Sequence, residues 1–156
     1  MQFYGSLQNR MAEGKTYGEI KVGVGVTEMC YTDRHAYEIV EVIDEKHILI
    51  RRCKATRIDN NGMSECQEYK YELEPYKETL ITEELKADTD RLLLMKCQNP
   101  KLYEKVMNGK IGDKIGDNNI KLTLTKNGWK QRYANGKWNC NRFTVGIKEE
   151  YFDYSF

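Results

Sequence analysis

KVGVGVTEMCYTDRHAYEIVEVIDEKHILIRRCKATRIDNNGMSECQEYKYEL, Lys21 to Leu73, is the stretch on which the fold turns. Val22, Val24 and Val26 alternate with Gly23 and Gly25. This period of two puts the valines on one face of an extended chain and leaves the other bare for close approach. After Thr32-Asp33-Arg34-His35, a second strand is expected over residues 37–43. Asp44-Glu45-Lys46 turns it into a third, from His47 to Arg52. Both carry apolar residues on two faces, which predicts a central place in a sheet. Thr56 and Ile58 then lead into Asp59-Asn60-Asn61-Gly62. Asn-Gly between strand-like runs is the signature of a tight hairpin, since both residues tolerate positive φ. The return strand, 68–73, alternates with Tyr69, Tyr71 and Leu73 inward.

Outward from this cassette the pattern changes. Phe3, Leu7 and Met11 recur every four residues, the apolar stripe of a short N-terminal helix ending near Gly14. Residues 82–95 read as a helix with leucines at 85, 92 and 93. Asn99-Pro100 opens another, with Leu102, Tyr103, Val106 and Met107 on its apolar face and Gly109 as its stop. The glycine-rich stretch 109–119 reads as a connection. Strand character resumes with Ile120, Leu122 and Leu124 inward, followed by turns at Asn127-Gly128 and Asn135-Gly136 and a last strand over 143–147. There is no internal repeat. The order predicts a mainly β, β-rich α+β fold. A small SH3-like or OB-like barrel accounts for it, with a highly curved antiparallel sheet as the alternative. A chain of 156 residues fits one domain, 1–156, carrying a helical insertion at about 79–112.

A hydrophobic fraction of 40% and a charged fraction of 31% suffice for one core under a solvated surface. The net charge of +1 argues against duplex DNA or an acidic membrane as the main partner. Five cysteines, at 30, 53, 66, 97 and 140, are odd in number and show no C-x-x-C spacing. Neither a disulfide framework nor a zinc site is expected, but reduced and mostly buried thiols. No signal-peptide core is visible, and the aliphatic run 92–95 is far too short to span a bilayer. A cytoplasmic protein is the expectation.

Chemical motifs are sparse. Gly23-Val-Gly25 fails as a dinucleotide fingerprint, because Glu28 stands at the third glycine position and no helix follows. Residues 109–114 lack the ending of a P-loop. Asp33 and His35 share a face at a spacing of two, the layout of an oriented general base, yet no nucleophile is evident nearby. A non-enzymatic protein without metal or cofactor is therefore expected. Arg34, Arg51, Arg52, Lys54 and Arg57 bring cations onto the central hairpins. Arginine grips phosphate through paired N–H donors, and tyrosine or tryptophan stacks a base. The plainer reading is that these arginines pair with carboxylates across the ladder. The ligand-binding set drawn from this pattern is Tyr31, Asp33, Arg34, His35, Arg57, Asp59, Asn61 and Trp129, centred on the loops 32–36 and 57–64.

Several motifs taken in order carry a resemblance: VGVGVT from Val22, YTDRHA from Tyr31, KATRIDNNGMS from Lys54, KNGW from Lys126 and the ending YFDYSF from Tyr151. Together they resemble a family of small uncharacterised phage and prophage proteins of Gram-positive bacteria, over most of the chain. The segment from about 79 to 112 is longer than that family's usual form. The resemblance implies a setting, the cytoplasm of an infected or lysogenic host, and no mechanism. In that setting the leading expectation is an accessory, counter-defence binder that sequesters a nucleotide second messenger in an Arg- and aromatic-lined pocket, as a homo-oligomer. Two alternatives stand beside it. One is a protein-interaction module that inhibits a host enzyme or defence protein, and the other is a single-stranded nucleic-acid-binding barrel.

Overall fold

The computed structural model describes Asn9, Met11 and residues 14–154. Phe3 and Leu7 of the expected N-terminal helix, and Ser155 and Phe156 of the tail, lie outside the described residues; Asn9 and Met11 are helical. In chain order the elements are β1 (Gly25–Met29), β2 (Arg34–Asp44), β3 (His47–Arg57), β4 (Tyr69–Leu73) and β5 (Glu78–Leu80). There follow α1 (Glu83–Ala87), α2 (Thr89–Gln98), α3 (Pro100–Asn108), β6 (Lys114–Asp117), β7 (Asn119–Thr125), β8 (Gly128–Gln131) and β9 (Arg142–Val145). Contacts divide the chain into two compact units. One comprises 1–74, 119–132 and 138–156, and the other 75–118 with 133–137.

In the first unit six antiparallel strands close on themselves in the order β1, β2, β3, β7, β8, β9 and back to β1. The barrel alternative holds over the open sheet. Closure is made by Val26 opposite Val145 and Glu28 opposite Phe143. The long strand β2 bends through two register shifts, after Ile39 and after Val42. Such bulges let one strand turn a barrel corner. Val26, Tyr37, Ile39, Ile48, Ile50, Leu122, Trp129, Phe143 and Val145 fill the interior, with Ile20, Val24 and Ile120 packed against them.

β3 is central, as expected, but it is one strand through Arg57. Its first half pairs β7 and its second half pairs β4, while β2 lies along its other side. β2 is two-faced only in part: Val42 and Ile43 are exposed. The first strand begins at Gly25, and Val22 lies outside it, exposed. The Asn61-Gly62 hairpin is also revised. Residues 58–68 form a wide loop in which only Gly62 has positive φ. Asp59 organises that loop, accepting from the Asn61 and Glu68 amides, each at 2.8 Å, and from Arg57 through both carboxylate oxygens. A local carboxylate thereby outcompetes the tight turn. The thiols are a further correction. Cys66, Cys97 and Cys140 are exposed, and only Cys53 is fully buried.

The second unit is larger than the expected 79–112 insertion, because the supposed connection after Gly109 contains β6, which pairs with β5. Asn118 closes its base, accepting from the Lys77 amide at 3.0 Å while its own amide donates to the Lys77 carbonyl. The single helix expected over 82–95 is broken by Asp88. That residue ends α1 and caps α2 by accepting from the Arg91 amide at 3.0 Å. Asn99 repeats the device between α2 and α3, with Pro100 at the first helical position as anticipated. Ile81, Leu85 and Val106 are the buried hydrophobic residues of this unit.

Candidate functional site

Strand parity carries the barrel interior beyond its apolar core into a polar mouth. Glu28 lies on the inward face of β1, His35 and Tyr37 on that of β2, and Arg52 on that of β3, opposite Tyr37. The Tyr37 hydroxyl donates to Glu28 at 3.1 Å, and the Arg52 guanidinium lies over the Tyr37 ring. Asn141 donates to Glu28 at 3.0 Å and to the Cys30 sulfur at 3.6 Å. Burial pushes the Tyr37 phenol up, with Glu28 adding to the effect.

Glu150 is the hub of this mouth. It accepts from the Ala36 amide at 2.9 Å, from both terminal nitrogens of Arg52 at 2.8 Å, and meets His35 Nδ1 at 3.1 Å. Burial opposes its charge, yet His35, Arg52 and the Ala36 N–H hold the carboxyl down at about 2. His35 is raised to about 10. The hydrogen bond to the Cys30 thiol is the largest cause and the Glu150 carboxylate the next, against the penalty of burial. Its imidazolium is thus the form held at neutral pH.

Glu150 belongs to a strap, residues 147–154, that lies across the outer face of β1 and β2 and over the cassette loops. Thr27 Oγ1 donates to the Ile147 carbonyl at 2.6 Å and accepts from the Glu149 amide. Arg34 and Tyr151 exchange backbone hydrogen bonds, and the Arg34 side chain ion-pairs with Glu149 and donates to Asn9 Oδ1. The Asp153 amide donates to Asp33 at 2.7 Å, Gln67 bonds the Phe152 backbone, and Arg57 reaches the Tyr154 hydroxyl.

The structure therefore brings Asp33, Arg34, His35, Arg57 and Asp59 to one side of the barrel, as the sequence pattern suggests, but it fills them from within the chain. Arg34 is buried and Arg57 is clamped by Asp59, so both answer carboxylates instead of a phosphate. A cavity of about 300 Å³ beside them is lined by Met63, Ser64, Glu65, Tyr151, Asp153 and Tyr154, with two carboxylates and no cation. Asn61 spends its side chain on the Cys66 carbonyl. Tyr31 remains exposed next to the Cys30–Asp33 turn. Trp129 is corrected outright: it is fully buried in the core, its indole N–H donating to Thr16 at 2.8 Å, and no base can stack on it.

Sequence reasoning missed Arg52 and Glu150, the ion pair that His35 joins. Glu150 gave no local signal, lying 115 residues from His35.

The second unit offers a different surface. α2 has no buried residue although it carries four consecutive apolar side chains, and Leu93 and Leu94 are 58% and 57% exposed. Met107 on α3 and Ile111 after it are exposed as well. Among the described residues no helix is long and apolar enough to cross a membrane, and no cluster of metal-ligating side chains occurs. These features define a small closed antiparallel barrel with a strapped polar mouth and a separate helical unit. No family model matches the chain, and no curated protein or solved structure matches it either.

Proposed function

We propose that the protein is an accessory binding protein of the phage type, a protein-interaction module whose helical unit seats on a host protein and inhibits it. The observation that carries this reading is α2, with Leu93 and Leu94 presented to solvent on a helix of which no residue is fully buried and only Leu92 and Met95 are half-buried among its apolar side chains. Amphipathic helices bury their leucines against something, and adjacent leucines exposed on a short helix suit an apolar groove on a partner. The phage setting comes from the ordered motifs of the sequence. Sequestration of a nucleotide second messenger draws less support, because Arg34, Arg52 and Arg57 are each neutralised by a carboxylate and the cavity beside them is acidic.

The test compares tagged full-length protein with its L93D/L94D variant in lysate of a Gram-positive host, using crosslinking and mass spectrometry. One host enzyme should be recovered and inhibited by the wild type and by Arg57→Ala, and lost with L93D/L94D. Heating the purified wild type should release no nucleotide. Equal recovery by L93D/L94D, or stoichiometric nucleotide released on heating, would defeat the proposal.

A further inference from the structure

Closure gives each strand of the barrel a neighbour on either side, but β4 stands outside that ring. Among the described residues it pairs with β3 alone. The ladder between them is bracketed by two hydrogen bonds. The Ile58 amide donates to the Glu68 carbonyl at 2.9 Å, and the Glu74 amide donates to the Arg52 carbonyl at 3.1 Å. Antiparallel alternation then points the backbone groups of Lys70 and Glu72 at β3 and turns those of Tyr69 and Leu73 the other way. A strand edge of this kind is a template for another strand.

The side chains decide which strand fits. Tyr69, Tyr71 and Leu73 are half-buried on one face, with the two rings stacked 6.5 Å apart. Lys70 and Glu72 are exposed on the other. Neither forms an ion pair among the described residues, although Lys54 stands across the ladder from Glu72. An edge guarded against pairing carries charge that repels its like, most often lysine. This edge is instead complementary to itself. Let a second copy be turned about a two-fold axis through Tyr71, so that β4 runs antiparallel to β4. Every residue of the strand then has a partner: Tyr69 meets Leu73 of the second copy, and Lys70 meets its Glu72. Sliding the register by one pair in either direction leaves residues unmatched and sets Lys70 against Lys70 or Glu72 against Glu72.

We propose that β4 is a homodimer interface, at which two copies join edge to edge through Tyr69–Leu73 and run one sheet across both. The interface lies in the barrel unit and does not involve α2, so it stands apart from the capture of a host protein. Glu68 and Glu74 fall opposite each other just beyond the strand ends in this register, so the association is weaker than the central pairs alone would make it.

The test is sedimentation equilibrium of the full chain at low ionic strength. Wild type is compared with Lys70→Glu, Glu72→Lys, the double swap K70E/E72K, Glu68→Gln, and an equimolar mixture of the two single swaps. The wild type should dimerise at or below ~100 µM. Each single swap sets like charges opposite one another in both central pairs, and should weaken the dimer at least ~10-fold. The double swap restores both pairs and should dimerise like the wild type. Mixing the two single swaps should give a heterodimer, because each then faces its opposite. Glu68→Gln should tighten the dimer. Should a single swap misfold, hydrogen exchange of the wild type decides alone: the Tyr69 and Leu73 amides should gain protection as concentration is raised. A wild type that stays monomeric at the stated concentration, single swaps that dimerise as well as it does, or a mixture that stays monomeric would overturn the proposal. So would Tyr69 and Leu73 amides indifferent to concentration.

Discussion

Trp129 and Glu150 show how differently two residues can hold one barrel. Trp129 does so by volume, fully buried among the inward residues of five other strands. Trp129→Ala should cost roughly 3–5 kcal/mol in denaturant unfolding, most of it from the cavity left behind. Glu150 does so by charge, and its contribution depends on pH. Its folded pKa lies at about 2, below the ordinary 4.5, so the stability it gives is complete above 4.5 and is lost as pH falls through about 2. His35 runs the other way. Raised from 6.5 to about 10, it stabilises fully below 6.5 and loses that contribution as pH rises through about 10. The protection of the Glu150 and Tyr151 amides, measured as exchange relative to the intrinsic rate at each pH, should therefore be greatest between about pH 4.5 and 6.5 and fall on both sides. Glu150→Gln should remove the acid limb of that profile and leave the alkaline limb weakened.

At the scale of elements, the loop after β3 is gathered on one carboxylate. Asp59 alone receives Arg57 and two loop amides, so Asp59→Ala should open residues 58–68 to limited proteolysis well before the barrel melts. A cleavage rate equal to wild type would show that the loop is held by something else. These elements also mark what could be read from the chain. The alternation of Val24 and Val26, of Tyr37 and Ile39, and of Ile48 and Ile50 made the barrel strands legible, because inward parity is written locally. The Asn61-Gly62 hairpin misled, since the propensity of two residues yielded to hydrogen bonds offered by a third, Asp59. β5 and β6 were hidden because Glu78–Leu80 and Lys114–Asp117 have little apolar alternation and form only by pairing with each other. The candidate site was half legible. Its cations were visible, and so was Asp59 beside Arg57, but the carboxylates that meet Arg34 and His35 sit on the strap, over a hundred residues away.

For the whole molecule, the two units should be separable in one direction. Arg51 donates to the Glu74 carbonyl and to the Asn119 side chain, so one guanidinium spans both edges of the excursion that carries the helices. Replacing 75–118 by a short Gly-Ser linker should leave a barrel that unfolds in one cooperative transition, with partner capture gone. A molten product with no cooperative transition would show that the barrel depends on its helical unit.

Barrel closure also dictates an order of events during synthesis. Val26 leaves the ribosome early, but its β9 partner, Val145, emerges only after every other strand of the barrel, and Glu150 after that. Until then β1 has one edge open and His35 and Arg52 lack the carboxylate that joins them. The helical unit, whose contacts lie mostly between 75 and 118, can assemble while the barrel is still waiting for its last strand. A nascent chain stalled before β9 would thus present its leucine-bearing helix ahead of its finished mouth.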